Sequence, residues 1–492
     1  MRKILFLALT ILSLLLTACE QPKDNAINFA IATAPSSLHP TLASDAVSER
    51  INALLYRPLI GFDTEQNPVS EVVEWKMLSQ AHYQLNLRKN LPSFSNGQHP
   101  TVSDVVATIN SVLENSASPH NATLAHIKAL ALLNQEIIDI KLSRNDPRFI
   151  EKLHLGLAPA KSLKEKNRLA RNPVGNGDFN FVRWRSDGGL VISRRSDHQL
   201  IHFEVIPDPT MRTLEMLRGD THLMQNDLPY EMYDYLTKNT NTHLSTSTGT
   251  TFSYLGFNLA DPISGNLKIR QAIAYAIDRN AIIQHLFQGQ ARLANTVLNP
   301  KHWASHTGLQ PYEYRPDTSR RLLESLGYTR QKPLKISYKT STDPFRLRIA
   351  SVLQAQLADV GIELTIHSYE WGTFFSDIKA GRFQLYSLSW VGIRSADIFR
   401  YIYHSESLPP NGANRGRYQS EKVDSLIDLA EISAPKRAKN YYQRVQQQIH
   451  DDLVYTPLWY ENNLLLSRNI DKASPRSDGG YGFLNQVVLR HD

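Results

Sequence analysis

The stretch from Leu334 to Trp390 reads as strand, helix, strand, helix, strand, and this alternation limits the fold more than any other feature of the chain. Leu334 to Thr340 alternates apolar and polar residues, as a half-buried strand does. Asp343 then offers an N-cap with Pro344 at the first helical position; Ile349, Val352, Leu353 and Leu357 form an apolar stripe, and Gly361 ends the helix. Ile362 to Tyr369 is the next predicted strand, Thr373 to Ala380 a short helix stopped by Gly381, and Phe383 to Trp390 the third strand. Strands separated by helices form a parallel sheet with right-handed crossovers, and ligands of such sheets sit at the carboxyl ends of the strands. Three loops therefore converge on one rim: Thr340 to Pro344, Glu370 to Gly372, and Val391 to Asp397. Tyr369, Trp371, Phe374, Phe375, Tyr386 and Trp390 concentrate near it, and Trp371 reads equally as pocket wall or as packing at a helix start.

Further helices are legible at Asp104 to Glu114, Ile269 to Ile277, Asp317 to Leu326 and Ser420 to Ala430, each with an apolar stripe that reads as core. The last strand pattern, Tyr455 to Ser467, lies far in sequence from the strands it would pair with. A chain of 492 residues is too long for one core and implies two or three domains.

The amino terminus reads as an export signal. Met1-Arg2-Lys3 is positive, and the apolar run from Ile4 to Leu16 is shorter than the roughly 20 residues that span a bilayer. Leu16-Thr17-Ala18-Cys19 resembles the lipobox of bacterial lipoproteins, so residues 1–18 are expected to be removed and Cys19 to carry the lipid. Cys19 is the only cysteine, which excludes an internal disulfide and any cysteine-based zinc site. Net charge is +7, but the signal contributes two of those charges and the rest are spread without a basic stripe; Arg194-Arg195 and Arg320-Arg321 are isolated pairs. No nucleic-acid partner is expected.

Catalytic motifs are absent at the spacings their chemistry needs. There is no G-x-S-x-G, no H-E-x-x-H and no P-loop, and Gly175-Asn176-Gly177 lacks the third glycine of a dinucleotide fingerprint and reads as a turn. His302 and His306 are four apart, but Pro300 and Ser305 argue against the helix that would bring them together on a metal. Neither a cofactor nor a metal site is expected, and without a nucleophile and base pair an enzyme is not expected.

Several blocks, in order along nearly all of the mature chain, resemble the extracellular solute-binding proteins family 5, whose members bind dipeptides, oligopeptides or nickel. They are Tyr83 to Asn90 with Phe94-Ser-Asn-Gly97 and Thr101-Val-Ser-Asp104; Asn172 to Gly177; Val205-Ile-Pro-Asp208; and Tyr254 to Asn258. The most specific is Ile269-Arg270-Gln271-Ala272 with Asp278-Arg279, followed by Tyr369-Glu-Trp371 and Tyr441-Tyr442-Gln443 through Pro457-Leu458. The resemblance implies the two-lobed α/β periplasmic-binding-protein fold (type II, cluster C), closing on ligand about a hinge cleft. It places lobe I at about 19–252 with an extra subdomain near 70–170, lobe II at 253–463, and a return to lobe I over 464–492. It also implies capture of a peptide or peptide-like solute for an ABC permease in the cytoplasmic membrane, with the protein facing the periplasm or extracytoplasmic space.

The same resemblance identifies the site. Trp371 matches the family's cleft tryptophan. Dipeptide-binding members hold the ligand's amine with an Asp three residues after the tryptophan that matches Trp390, and here that position is Ile393. Their carboxylate-anchoring Arg aligns with Thr340. Free zwitterionic peptides thus lose both anchors, and Arg394 and Asp397, in the same loop, are the candidate displaced charges. A nickel chelate, haem or another non-peptide solute is the alternative ligand class, and a hydrolase of cell-wall peptides the remote alternative function.

Overall fold

Two long antiparallel strands, Thr242–Phe257 and Tyr455–Arg468, run side by side through the middle of the molecule and join its two halves into one sheet of 11 strands. The computed structural model describes residues 25–490 apart from 64–66, 117, 135, 227 and 394. On one flank of the long pair lie Leu385–Trp390, Leu334–Ser341 and Ile362–Tyr369; on the other lie Leu223–Gln225, Ile27–Ile31, Leu200–Val205, Leu190–Arg194 and Phe179–Trp184. Ala291–Leu293 pairs with the second long strand off this path.

The long strands are not regular. Their register shifts between Ser247 and Thr251 and again between Ser253 and Tyr254. Such irregularities bend a strand and increase its local twist. Gly249 sits in the first of them because a Cβ there would lie 2.1 Å from the Glu461 carbonyl oxygen.

The predicted β-α-β-α-β block is present. Leu334–Ser341 pairs in parallel with both Ile362–Tyr369 and Leu385–Trp390, and the connecting helices span Pro344–Ala358 and Trp371–Ala380. The second helix starts two residues before Thr373, since Glu370 supplies the cap, and the third strand begins at Leu385, two residues after Phe383. Ile349, Leu353 and Leu357 are buried as the stripe requires.

Burial divides the molecule. Two apolar cores draw on residues between Phe252 and Tyr460, two others on Ile27 to Leu244 together with Leu464 to Leu489. A fifth lies between Leu59 and Leu157, under the antiparallel sheet of Val73–Ser79, His82–Leu87, Ile137–Leu142 and Ile127–Leu132. Helix Val102–Leu113 covers that sheet, held at its start by a capping box between Thr101 and Asp104. The Asn172 to Gly177 segment is tight for a steric reason: a Cβ on Gly175 would lie 2.0 Å from the Leu55 carbonyl oxygen, and one on Gly177 would lie 2.3 Å from that of Leu54. No helix among the described residues is long and apolar enough to cross a membrane. Residues 1–18 and Cys19 lie outside the described residues.

Candidate functional site

The three parallel strands of the second lobe end on one rim, and the residues that follow them set its geometry. Asp343 accepts the Arg346 amide at 2.8 Å and caps Pro344–Ala358; Glu370 accepts the Gly372 amide at 2.7 Å and caps Trp371–Ala380. The cap at Glu370 places Trp371 on the first turn, where its side chain is 54% exposed and its ring lies parallel to Phe375, centroids 5.4 Å apart at 9°. Trp390 ends its strand partly buried, parallel to Tyr254 at 6.5 Å and edge-on to Tyr401 at 6.1 Å. Between these two aromatic groups the Arg415 guanidinium carbon lies 4.6 Å from the Trp390 ring centre and 5.1 Å from that of Phe375.

The remaining sequence-predicted residues divide. Ile393 packs partly buried against the second lobe's core, next to Trp390. Thr340 is 1% exposed, enclosed within its strand. Arg394 lies outside the described residues. Asp397, which reads from sequence as a candidate ligand anchor, has its carboxylate 3.3 Å from Lys152 Nζ and 3.7 Å from Arg148 Nη2, both on the opposite lobe. Its charge is therefore engaged across the cleft.

Those contacts belong to a charged cluster that joins residues 144–152 of the first lobe to the second. Arg148 Nη2 donates to the Tyr442 hydroxyl at 2.6 Å, and its guanidinium carbon lies 5.0 Å from the ring centres of both Trp303 and Tyr442. Lys152 donates to Asp146 at 2.7 Å, and His126 bonds the same carboxylate at 2.9 Å. Arg144 reaches Glu431 at 3.5 Å, and the Ser395 hydroxyl donates to Glu151 at 3.4 Å. Burial works against the Asp146 carboxylate, but the bonds from His126 and Lys152 outweigh it and hold the group below the usual range. Glu151 has no such surplus. Burial, opposed by Arg148 and reinforced by the Asp397 and Asp146 charges, pushes it up to about 7.

A second contact closes the other side of the cleft. Glu231 and Arg348 pair at 3.0 Å, and Tyr230 packs on Phe345 and Phe287 at 5.5 and 5.1 Å. On the floor, near the long strands, Glu461 accepts from Ser253 at 2.7 Å and lies 3.7 Å from Arg346. The lobes thus touch on both flanks of an aromatic wall.

Sequence reasoning missed Arg148, Lys152, Arg346, Glu461 and Arg415, since each acquires its partners from distant segments and none sits in a local pattern. The histidine pair is resolved as turn chemistry: His302 Nδ1 accepts from the Ala304 amide and His306 Nδ1 from the Gly308 amide, both at 3.1 Å. Among the described residues no cluster of three metal-ligating side chains occurs.

Known proteins agree with this architecture. The family model described as bacterial extracellular solute-binding proteins, family 5 middle, matches residues 72–408. Oligopeptide-binding protein AppA of Bacillus subtilis is 24% identical over 90% of this chain and 88% of its own. The nickel-binding NikZ of Campylobacter jejuni, solved with Ni(L-His), superposes with a TM-score of 0.81 at 20% identity, covering 94% of this chain and 99% of that one. The ABC transporter substrate-binding protein CtaP of Listeria monocytogenes superposes with a TM-score of 0.85 at 20% identity, over 95% and 99% of the two chains. Such relatives are substrate-binding proteins and not enzymes. With a two-lobed fold in common and two thirds of its length matched by the family model, this chain belongs to the bacterial extracellular solute-binding proteins, family 5.

Proposed function

We propose that this protein is the lipid-anchored capture subunit of an ABC importer, that it takes peptides or peptide-like solutes into the cleft between its lobes, and that it hands them to a membrane permease. Family relatives serve ABC importers of peptides, nickel or haem. The observation that carries the peptide reading is the aromatic wall of Trp371 and Trp390, set beside strand ends and enclosed by contacts from the opposite lobe. Strand ends offer main-chain hydrogen bonds to an extended ligand, and aromatic faces accept varied side chains. A divide near 252 and 463, with the extra subdomain near 70–170, is supported by the grouping of apolar cores on either side of those positions. The competing solutes are a nickel chelate and haem, and mass spectrometry of the ligand that co-purifies with the protein separates them from a peptide.

Calorimetry with a peptide panel tests the reading. Ile393 supplies no charge for a ligand ammonium, Thr340 supplies none for a carboxylate, and Asp397 faces Lys152. Unmodified zwitterionic dipeptides should bind weakly, longer or blocked peptides more tightly, and the tight binders should reduce the radius of gyration in solution scattering. Ile393→Asp should strengthen amine-bearing ligands on the order of tenfold, as a charged hydrogen bond is worth. Submicromolar binding of several unmodified dipeptides by the wild type, or an unchanged radius at saturation, would count against the proposal.

The anchor is a separate proposal resting on Leu16-Thr17-Ala18-Cys19. A thioether-linked diacylglyceryl group with an amide-linked chain is enough for stable membrane attachment. Cys19→Ser should abolish incorporation of radioactive palmitate in cells; labelling that persists would show that the lipobox has been misassigned.

A further inference from the structure

Arg415 is a cation of the second lobe drawn inward without a carboxylate partner among the described residues. Other cations of this lobe have one: Lys339 has Asp377 at 2.5 Å, Arg400 has Glu431 at 2.7 Å, and Arg346 has Glu461 at 3.7 Å. Lys379 and Arg417 also lack one; Lys379 lies on the Phe375 ring, and Arg417 donates to the Lys379 carbonyl at 3.4 Å. Where an arginine of this lobe is buried without a carboxylate, backbone carbonyls take its protons: Arg279 donates to those of Ala294, Pro457 and Tyr312 at 2.8 to 2.9 Å. Among the described residues Arg415 makes one long side-chain bond, from Nη1 to the Tyr254 hydroxyl at 3.4 Å; the Tyr386 and Tyr455 hydroxyls also face it, and the Trp390 and Phe375 rings lie against it. Arg415 is half-buried as a residue and its guanidinium has five N–H donors, so most of the fork makes no hydrogen bond among the described residues.

The surroundings add a second donor and an apolar frame. Trp390 Nε1 is buried and has no hydrogen-bond acceptor among the described residues. Trp371, Val391 and Tyr401 stand exposed around the stack, and large apolar side chains grouped on one exposed face mark a binding surface more often than chance. Trp371 on Phe375, Phe375 on Arg415 and Arg415 on Trp390 form one continuous pile running from the rim to Tyr254 on the long strand. Two rings within 5.1 Å of the guanidinium carbon restrict its movement, and a guanidinium so held suits a planar two-oxygen acceptor.

We propose that Arg415 is the anion anchor of the cleft, binding a carboxylate of the solute, and that the exposed Trp371 ring takes an aromatic or large apolar group next to that carboxylate. The assignment rests on the reading of the protein as a capture subunit for peptide-like solutes. It replaces the anchor lost at Thr340 with a cation from a loop 75 positions later in the chain. The solute it selects is acidic at one end, apolar beside that end, and without a free ammonium at Ile393.

The probes are acetyl-Leu-Phe with a free carboxylate and the same compound as its carboxamide, titrated by calorimetry into the full mature chain. The free acid should bind on the order of thirtyfold more tightly than the amide, the value of a hydrogen-bonded charge. Arg415→Met, which keeps an apolar stem between the two rings, should bring the acid down to the level of the amide and leave the amide unchanged. Arg415→Lys should retain part of the preference, and it tests the charge even where the methionine variant folds poorly. A merely structural pillar predicts something different: both variants would lower the melting temperature and weaken acid and amide by the same factor, and that result overturns the assignment. If the wild type binds acid and amide equally, the anchor is overturned while the peptide reading stands. If it binds neither at millimolar concentration, both are overturned.

Discussion

Arg148→Ala should shift the protein towards an open form and weaken ligand binding by roughly 30- to 150-fold. Arg148 is 6% exposed and reaches from the first lobe into a slot on the second, between Trp303 and Tyr442. Removing it leaves the Tyr442 hydroxyl, fully buried, without its 2.6 Å donor, and leaves Asp397 with Lys152 as its cation among the described residues. Breaking a buried charged contact by deleting one partner costs about 3–5 kcal/mol, and the partial exposure of Asp397 brings this down to about 2–3 kcal/mol. These contacts exist only while the lobes touch, so the loss falls on the closed state. Apparent affinity then drops by the closed population that is lost, as the 30- to 150-fold range expresses. Calorimetry on the wild type and the variant with a tight-binding blocked peptide measures the ratio, and scattering on the ligand-free forms measures the opening. Arg148→Lys should fall between the two, because an ammonium retains the attraction to Asp397 but not the planar stacking on two rings. An affinity within twofold of wild type would show that the cluster does not hold the lobes together.

The sequence was most legible where local chemistry and periodicity agree. Asp343-Pro344 announces a helix start and caps one, while the helices read from Asp104 and Ser420 begin at Val102 and Glu421, capped by Thr101 and by Ser420. The β-α-β-α-β block was readable because period-two and period-3.6 patterns are separated by Gly361 and Gly381, both in the left-handed region. The most specific family block turned out to be scaffold: Arg270 donates to the carbonyls of Leu453 and Asp452, and Asp278 caps the helix that Arg279 begins. Such residues hold distant segments together and touch no part of the rim. The rim loops were placed correctly from topology, and Trp371 is exposed there. What stayed hidden depends on partners 25 to 294 positions away. Asp397 looks like a free loop charge until Lys152 is folded against it, 245 positions earlier in the chain. Arg415 reads as one basic residue in Asn414-Arg-Gly-Arg417 until Trp390 and Phe375 close on it from either side. Neither relation leaves a mark in local composition.

Ligand affinity should fall as the pH rises from about 5 to about 7.5, and Glu151 should be the cause. In the closed structure its carboxyl is pushed up to about 7, by burial first, with Arg148 opposing and the negative Asp397 and Asp146 adding to the shift. The groups that face it are Arg148 and Asp146 from its own segment, with His126 and Lys152 behind Asp146, Tyr83 from the sheet below, and Ser395 and Asp397 from the opposite lobe. Opening the lobes removes Ser395 and Asp397 and lets water reach the carboxyl, which then titrates near its ordinary value of 4.5. Closure therefore takes up a proton between those two values. Below about pH 4.5 the group is neutral in both forms and adds no pH dependence; between about 4.5 and 7 the closed form loses stability steadily; above 7 the carboxylate is charged in both forms and the full penalty applies. The difference between 4.5 and about 7 corresponds to roughly 3 to 4 kcal/mol at most, which coupling within the cluster will reduce. The measurement is affinity for a blocked peptide that has no group titrating between pH 5 and 8. Glu151→Gln, neutral throughout, should bind as the wild type does at low pH and should flatten the profile. A wild-type profile that is already flat, or one that survives the glutamine substitution, would place the titration elsewhere, because no other change removes this proton and leaves Arg148, Lys152 and Asp397 in position.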